Sequence, residues 1–123
     1  MAEKKVVFIA FAIEDGKQRD LLRGRRLHLR AHFEFDDMPV KQPYDSDWKE
    51  RVRTKIKRSD GVIALISSNS LNASGQKWEI TCAREEKKPL RGIWAYSDDR
   101  PDVEGVCTYD WSDENIDEFI DSL

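Results

Sequence analysis

The sequence predicts an α/β fold in which a parallel sheet is covered by helices on both faces. Two observations carry this prediction. Continuous apolar runs at residues 6–11 and 61–66 are typical of strands that are buried on both sides. Segments whose apolar residues recur at helical spacing lie between such runs, and this alternation continues along the chain, as in a sheet whose parallel strands are joined by helices.

The first strand and helix precede an ambiguous stretch. The strand at 6–11 ends before Gly16, and a helix is predicted over residues 18–23. Apolar residues then alternate between positions 27 and 35, as they would in a strand, without excluding a helix. We therefore predict a strand only at residues 33–36.

A loop over residues 37–47, which contains two prolines, leads into a basic helix. Asp47 is predicted as the N-cap, because Glu50 follows three positions later and completes a capping-box pattern. The apolar side chains of this helix recur every four residues and predict the face that packs onto the sheet. They are Trp48, Val52 and Ile56.

The second half of the chain adds three strands and two helices. Residues 61–66 are the clearest buried strand, and Ser74 or Gln76 is predicted to cap the next helix, which runs through Glu86. The remaining elements are a strand at 90–95, a short strand at 106–109 and a closing helix with apolar residues at 116, 119, 120 and 123.

Length and composition indicate a single domain, residues 1–123, with a polar surface. Hydrophobic residues make up 39% and charged residues 37%, and four Trp, five Phe and three Tyr argue against disorder. No apolar run reaches the roughly 18 residues of a membrane span, and the first residues show no signal-peptide pattern. Cys82 and Cys107 have no disulfide-framework or metal-ligand spacing. We expect a cytoplasmic protein with free thiols that does not bind membranes.

The charges are distributed unevenly. Residues 49–58 hold six basic residues and one acid, whereas residues 98–121 hold ten acids and one base. Such blocks favour head-to-tail contact between copies, or they are solvated faces. The net charge of −3 argues against nucleic-acid binding, since readers of nucleic acids are usually basic.

Several common catalytic motifs are missing from the sequence. It has no phosphate-binding P-loop, no glycine-rich dinucleotide motif after the first strand, no zinc-protease motif and no nucleophile elbow. His28 and His32 have the spacing of one helix face, but no third ligand is evident. We therefore predict no metal site and interpret both as surface histidines.

Carboxylates are frequent where the predicted strands end. In parallel sheets ligands bind beyond the carboxyl ends of the strands, which here means residues 11–16, 36–48, 67–79 and 96–100. Of the carboxylates in these segments, the candidate mouth of a site is formed by the five that follow the first two strands or lie early in the helix after the third. They are Glu14, Asp15, Asp36, Asp37 and Glu79.

Two explanations of Glu79 remain open at this point. A carboxylate in the first turns of a helix complements the helix dipole. Alternatively, Glu79 stabilises a sugar oxocarbenium ion while an N-glycosidic bond breaks, which is the role that carboxylates have in glycoside cleavage. The neighbouring Trp78 either stacks on a substrate or packs in the core, and Trp48 has the position of a helix anchor.

Several segments together resemble TIR domains, in particular the TIR-like proteins of the Thoeris ThsB type. Val7-Phe8-Ile9-Ala10-Phe11-Ala12-Ile13-Glu14-Asp15 is similar to their opening strand and loop, and Arg19-Asp20-Leu21-Leu22 continues the pattern. Asp45 to Val52 and Ser59 to Ile63 resemble their second helix and third strand. Trp78-Glu79-Ile80, followed by Lys88-Pro89-Leu90, is similar to the helix with the catalytic glutamate and the strand after it.

The resemblance implies a flavodoxin-like three-layer fold of about five mostly parallel strands. It also implies an enzyme that uses NAD⁺ as substrate, needs no cofactor, releases nicotinamide and makes a cyclic or conjugated ADP-ribose signal for a separate antiphage effector. Glu79 matches the catalytic glutamate, and the expected substrate-binding residues are Phe11, Asp15, Asp36, Trp48, Ser74 and Trp78. Residues 38–46 match the BB loop, which in TIR assemblies often touches a neighbouring copy, so self-association is expected. Where many TIR enzymes have Ser-Tyr, this chain has Ala10-Phe11 or Ala12-Ile13.

The alternatives to this function are an adaptor, a different enzyme and a receiver domain. A non-catalytic TIR-like adaptor would self-associate without consuming NAD⁺. A nucleoside deoxyribosyltransferase-like enzyme would use Glu79 as nucleophile on a deoxynucleoside. A receiver domain requires a phosphoacceptor Asp at the end of the third strand, where this chain has Ser67, and is excluded.

Overall fold

Five parallel strands form one sheet in the computed structural model, which describes residues 4–29 and 33–123, the side chains at positions 27 and 28 excepted. The strands are β1 (Lys5–Ala10), β2 (Phe33–Asp37), β3 (Gly61–Ile66), β4 (Leu90–Trp94) and β5 (Thr108–Tyr109). In space they are ordered β2-β1-β3-β4-β5, and every neighbouring pair is parallel. This order is the flavodoxin-like one, so the predicted fold is confirmed.

Helices cover both faces of the sheet. Alternate side chains of the central strands point to opposite faces and divide the core in two. The helices are α1 (Gly16–Gly24), α2 (Ser46–Arg58), α3 (Ser74–Glu85) and α4 (Asp113–Asp121). Phe8 and Ala10 of β1 pack with α2 and α3, whereas Val7 and Ile9 pack with α1 and α4.

The start of α2 differs from the prediction. Asp45, and not Asp47, is the N-cap: its carboxylate accepts hydrogen bonds from the backbone N–H groups of Asp47 at 2.8 Å and Trp48 at 3.4 Å. Both aspartates can cap a helix. The helix begins two residues earlier than predicted, so Asp47 lies in its first turn. There its negative charge interacts favourably with the helix dipole.

The start of α3 also differs. The residue at the N-cap is Ala73, and no side chain caps the helix. Ser74 is its first residue, while Gln76 turns inward and is buried. The predicted capping role of Ser74 or Gln76 is therefore wrong, because the Gln76 amide bonds to strand carbonyls instead.

The other element boundaries shift by one to two residues. The fifth strand is shorter than predicted, with only Thr108 and Tyr109 paired to β4. The helix after β1 begins at Gly16 and includes Gly24. Residues 30–32 of the ambiguous stretch lie outside the described residues, and β2 begins at Phe33.

The described part of the chain agrees with two further expectations. Both cysteines are free thiols, Cys82 buried and Cys107 exposed. Among the described residues no helix is both long and apolar enough to cross a membrane.

Gly92 allows β5 to approach β4. A Cβ atom at Gly92 would lie 2.5 Å from Thr108 Oγ1 and 2.7 Å from Val106 Cγ1, well inside contact distance. We expect Gly92→Ala to lower the free energy of unfolding by about 1–3 kcal/mol, as overpacked sites do. Urea denaturation measures this change. Gly24→Ala is the control, because nothing lies within 4 Å of that position; it should be neutral or stabilise by up to about 1 kcal/mol.

Candidate active site

A groove lies at the carboxyl edge of the sheet, where the loop after β2 meets the first turn of α3. Its volume is about 220 Å³. This is the edge at which ligands bind in folds of this class. The groove is lined by Ile13, Glu14, Lys41, Pro43, Asn72, Ala73, Ser74, Gly75 and Gln76.

Glu79 is fully buried next to this groove. Its exposed fraction is 0%, and its Oε2 accepts a hydrogen bond from the Lys41 ammonium at 2.7 Å. Its other oxygen, Oε1, is buried and has no partner at hydrogen-bond geometry; the Phe11 backbone amide lies close enough to the carboxylate to lower its pKa without forming a well-aligned bond. A buried carboxylate with an unused acceptor is costly for a fold and is typical of sites where a ligand completes the bonding.

Burial raises the pKa of Glu79 to about 7. Loss of hydration is the largest cause, since it disfavours the charged form. The Lys41 ammonium lowers the pKa, and the backbone amide of Phe11 acts in the same direction. Desolvation outweighs both, so the carboxyl titrates near neutrality and not near its ordinary value of 4.5.

Lys41 closes the site from the loop side. Its side chain is 6% exposed, and its ammonium lies 3.8 Å from the centre of the Phe11 ring. The ammonium thus touches an aromatic face and a carboxylate, two groups that attract cations. Gly75 leaves room for it, because a Cβ atom there would lie 3.1 Å from the Lys41 Cβ. Burial lowers the pKa of Lys41, while Glu79 raises it.

Trp48 fixes the loop that carries Lys41. Its indole ring is buried under the sheet, and its Nε1–H donates to the carbonyl of Val40 at 2.7 Å. Trp48 packs in the core and is not among the residues that line the groove. Binding of substrate by Trp48 stays a prediction. Its position is that of a helix anchor that also holds the loop next to Lys41.

The other predicted site residues lie in different parts of the structure, some at the groove and some against α2. Phe11 lies beneath Lys41, and Ser74 lines the groove. Asp36 pairs with Lys55 of α2 at 2.9 Å, away from Glu79. Trp78 packs edge-on against Trp48, with ring centroids 6.1 Å apart. Lys41 therefore connects Glu79 and Phe11 to the groove, which Ser74 also lines. Asp36 and Trp78 instead contact side chains of α2.

Asp15 is buried at the carboxyl edge of the sheet and is hydrogen-bonded within the protein. Its carboxylate accepts hydrogen bonds from the hydroxyls of Ser67 at 2.5 Å and Tyr96 at 3.1 Å, and from the Asn69 amide at 2.9 Å. These bonds join the ends of β1, β3 and β4. Both carboxylate oxygens of Asp15 thus accept hydrogen bonds from within the protein. That Asp15 also binds substrate stays a prediction.

Asp15→Asn is expected to lower the free energy of unfolding by about 1–3 kcal/mol, because one acceptor oxygen becomes a donor facing other donors. Chemical denaturation measures the loss. Asp98→Asn, at an exposed position, is the matched control and should change stability by less than about 0.5 kcal/mol. An equal effect of the two variants would show that the Asp15 cluster does not stabilise the carboxyl edge.

Two residues of the site were not predicted from the sequence. Lys41 comes from a proline-containing loop, and no local pattern shows that its ammonium turns inward. Gln76 lies three positions before Glu79, a spacing that places both on one helix face, and this signal could have found it.

The described residues contain neither a metal-binding cluster nor an aspartate at the receiver-type position. Among the described residues no group of three or more His, Cys, Asp and Glu side chains is placed to hold a metal ion. The predicted histidine pair falls on the His28 side chain and on His32, which lie outside the described residues. Ser67 follows β3 directly, as expected.

Comparison with known proteins identifies the family. Residues 8–100 match the family model described as Thoeris protein ThsB, TIR-like domain. This range contains β1 to β4, the groove and Glu79. No curated protein matches the chain.

Among solved structures, the chain is similar to a 3-dehydroquinate dehydratase-like protein from Bifidobacterium longum. The two are 11% identical with a TM-score of 0.46, and the match covers 98% of this chain and 94% of that one. This likeness is too distant to inform function.

Proposed function

The chain belongs to the family of the TIR-like domain of the Thoeris protein ThsB, and we propose that it is an enzyme that consumes NAD⁺. In this proposal it cleaves the bond between nicotinamide and ribose and makes a cyclic or conjugated ADP-ribose signal. The signal activates a separate effector in antiphage defence. NAD⁺ is the substrate, and no cofactor is required.

One observation carries the proposal: the buried Glu79 carboxylate and the Phe11 ring form a site that holds a cation. In the structure the cation is the Lys41 ammonium, 2.7 Å from the carboxylate and 3.8 Å from the ring centre. A nicotinamide riboside unit is also cationic, first on its pyridinium ring and then, as the bond breaks, on the sugar. Such a unit suits the same pair of groups.

The chemistry requires one well-placed carboxylate. When the bond between C1′ and the pyridinium nitrogen breaks, its electron pair goes to that nitrogen, and neutral nicotinamide leaves without protonation. Positive charge then develops on the ribose ring, where an ionised Glu79 stabilises it. A nucleophile next attacks C1′; an internal ring nitrogen gives a cyclic product, and water gives ADP-ribose.

Burial makes this carboxylate more effective. Coulomb attraction between unit charges 4 Å apart is about 1 kcal/mol in water and about 4 kcal/mol at the effective dielectric constant of a protein site. As substrate enters, its positive charge replaces that of Lys41 beside Glu79. The Lys41 side chain therefore has to move aside, while the bond from Trp48 to the Val40 carbonyl holds the neighbouring backbone in place.

Self-association and an intracellular effector belong to the same proposal. The loop after β2 exposes Val40 and Tyr44, the latter 85% exposed, and large exposed apolar side chains are typical of contact surfaces. The basic residues of α2 and the acidic residues of α4 lie on opposite faces of the sheet, which suits head-to-tail contact. We place the reaction in the cytoplasm, without nucleic acid or membrane.

The test is incubation of purified protein with NAD⁺ at low and high protein concentration, followed by mass spectrometry of nicotinamide and all ADP-ribose-containing products. We expect nicotinamide release, and the product mass separates cyclisation, conjugation and hydrolysis. Concentration-dependent assembly without loss of NAD⁺, also after addition of extract from phage-infected cells, would instead support the adaptor function. Release of a base from deoxynucleosides would support the deoxyribosyltransferase-like alternative.

A further inference from the structure

A second buried acceptor lies on the same helix face as Glu79. Gln76 is 1% exposed, lines the groove and precedes Glu79 by three positions on α3. Its Oε1 atom is buried and has no hydrogen-bond partner, as is also true of Glu79 Oε1. Buried polar oxygens are nearly always paired, so two unpaired ones on one helix face point to a group that donates to them.

The orientation of the Gln76 amide is determined by its surroundings. Its Nε2 atom donates to the carbonyl of Ala10 at 3.0 Å and to that of Leu65 at 2.6 Å. An amide NH₂ has two hydrogens, and both are used. Exchanging nitrogen and oxygen would place an acceptor against two carbonyls, so Oε1 faces away from the strands.

We infer that Gln76 is a substrate-binding residue whose Oε1 accepts a hydrogen bond from the nicotinamide riboside part of the substrate. The inference rests on the proposed function and assigns to the site a selectivity for substrates that carry this donor. Two donors of NAD⁺ have the required chemistry, the N–H of the carboxamide and a ribose hydroxyl. The strands hold the amide rigidly, so the acceptor is in place before substrate arrives.

The test compares kcat/KM for NAD⁺ with that for two analogues. Nicotinic acid adenine dinucleotide lacks the carboxamide N–H, and NAD⁺ without the 3′-hydroxyl on the nicotinamide ribose lacks a hydroxyl donor. Each ratio is measured in the wild type and in Gln76→Met, which has a similar volume and no amide. Since the intrinsic reactivity of an analogue is the same for both proteins, a change in the ratio reports the contact.

We expect the preference for NAD⁺ over one analogue to fall by about three- to tenfold in Gln76→Met, the effect of one hydrogen bond. Ser70→Ala is the structural control, since its hydroxyl contacts the same Leu65 carbonyl at 3.4 Å; it should leave both ratios unchanged.

Equal ratios in wild type and Gln76→Met would overturn the inference and indicate that ordered water satisfies Oε1. If Gln76→Met does not fold, Gln76→Leu, which also lacks the amide, replaces it, and its ratios are judged in the same way. If the wild type releases no nicotinamide from NAD⁺, the proposed function fails, and this inference fails with it.

Discussion

Glu79→Gln is expected to reduce nicotinamide release from NAD⁺ by about 10²- to 10³-fold or more. The change keeps the shape of the side chain and removes the negative charge that faces the developing cation. Loss of one preorganised electrostatic group typically raises the barrier by about 2.7–4 kcal/mol, which corresponds to this range. Steady-state assays with nicotinamide as the measured product determine the loss.

Two controls accompany this variant. Thermal unfolding shows whether Glu79→Gln still folds, because it leaves the buried Lys41 ammonium without its carboxylate. Glu50→Gln makes the same chemical change at an exposed position of α2 and should keep full activity. Undiminished turnover by a folded Glu79→Gln protein would rule out the proposed role of Glu79.

Lys41→Met is expected to move the pH dependence of kcat/KM for NAD⁺ to higher pH, because this constant reports the free enzyme, in which Lys41 lies beside Glu79. The Lys41 ammonium lowers the pKa of Glu79, so its removal raises that pKa further. A nearby opposite charge shifts a carboxyl pKa by about one to three units. Activity relative to its own plateau should therefore fall by about tenfold or more at pH 6.5, as a pH–rate profile of the variant would show.

Lys57→Met is the matched control, since Lys57 is exposed on α2 and lies outside the groove lining. Its profile should coincide with that of the wild type. A Lys41→Met profile with an unchanged midpoint would mean that Lys41 does not govern the ionisation of Glu79. A higher activity of Lys41→Met at high pH would agree with the account, because the Lys41 ammonium occupies the position beside Glu79 that the positive charge of the substrate takes.

The fold was largely predictable from the sequence, because strands buried on both faces leave continuous apolar runs. The run at 61–66 is β3 with the predicted bounds, and the run at 6–11 is β1, which begins and ends one residue earlier. The helix starts were less predictable. Asp45 and Asp47 both have capping side chains, and the choice depends on how the preceding loop approaches α2.

The site was predictable only in part. The position of Glu79 in the helix after β3 followed from local patterns and the family resemblance. Its ion pair with Lys41 joins residues 38 positions apart, and it depends on the path of a loop held by Trp48. The sequence predicts Ser74 or Gln76 as the cap of α3, since a polar side chain in a first turn is compatible with that role. In the folded chain the buried carbonyls of Ala10 and Leu65 accept hydrogen bonds from the Gln76 amide instead.

The most direct test of the account is the pH dependence of nicotinamide release from NAD⁺ by the unaltered protein. The active form carries an ionised Glu79, and its pKa is raised to about 7 by burial. At NAD⁺ concentrations well below saturation the rate reports kcat/KM and therefore the ionisation of the free enzyme. This rate should rise about tenfold per pH unit at low pH, bend near pH 7 and level off above it. A rate that is flat or falls across this range, or no nicotinamide at any pH, would contradict the account.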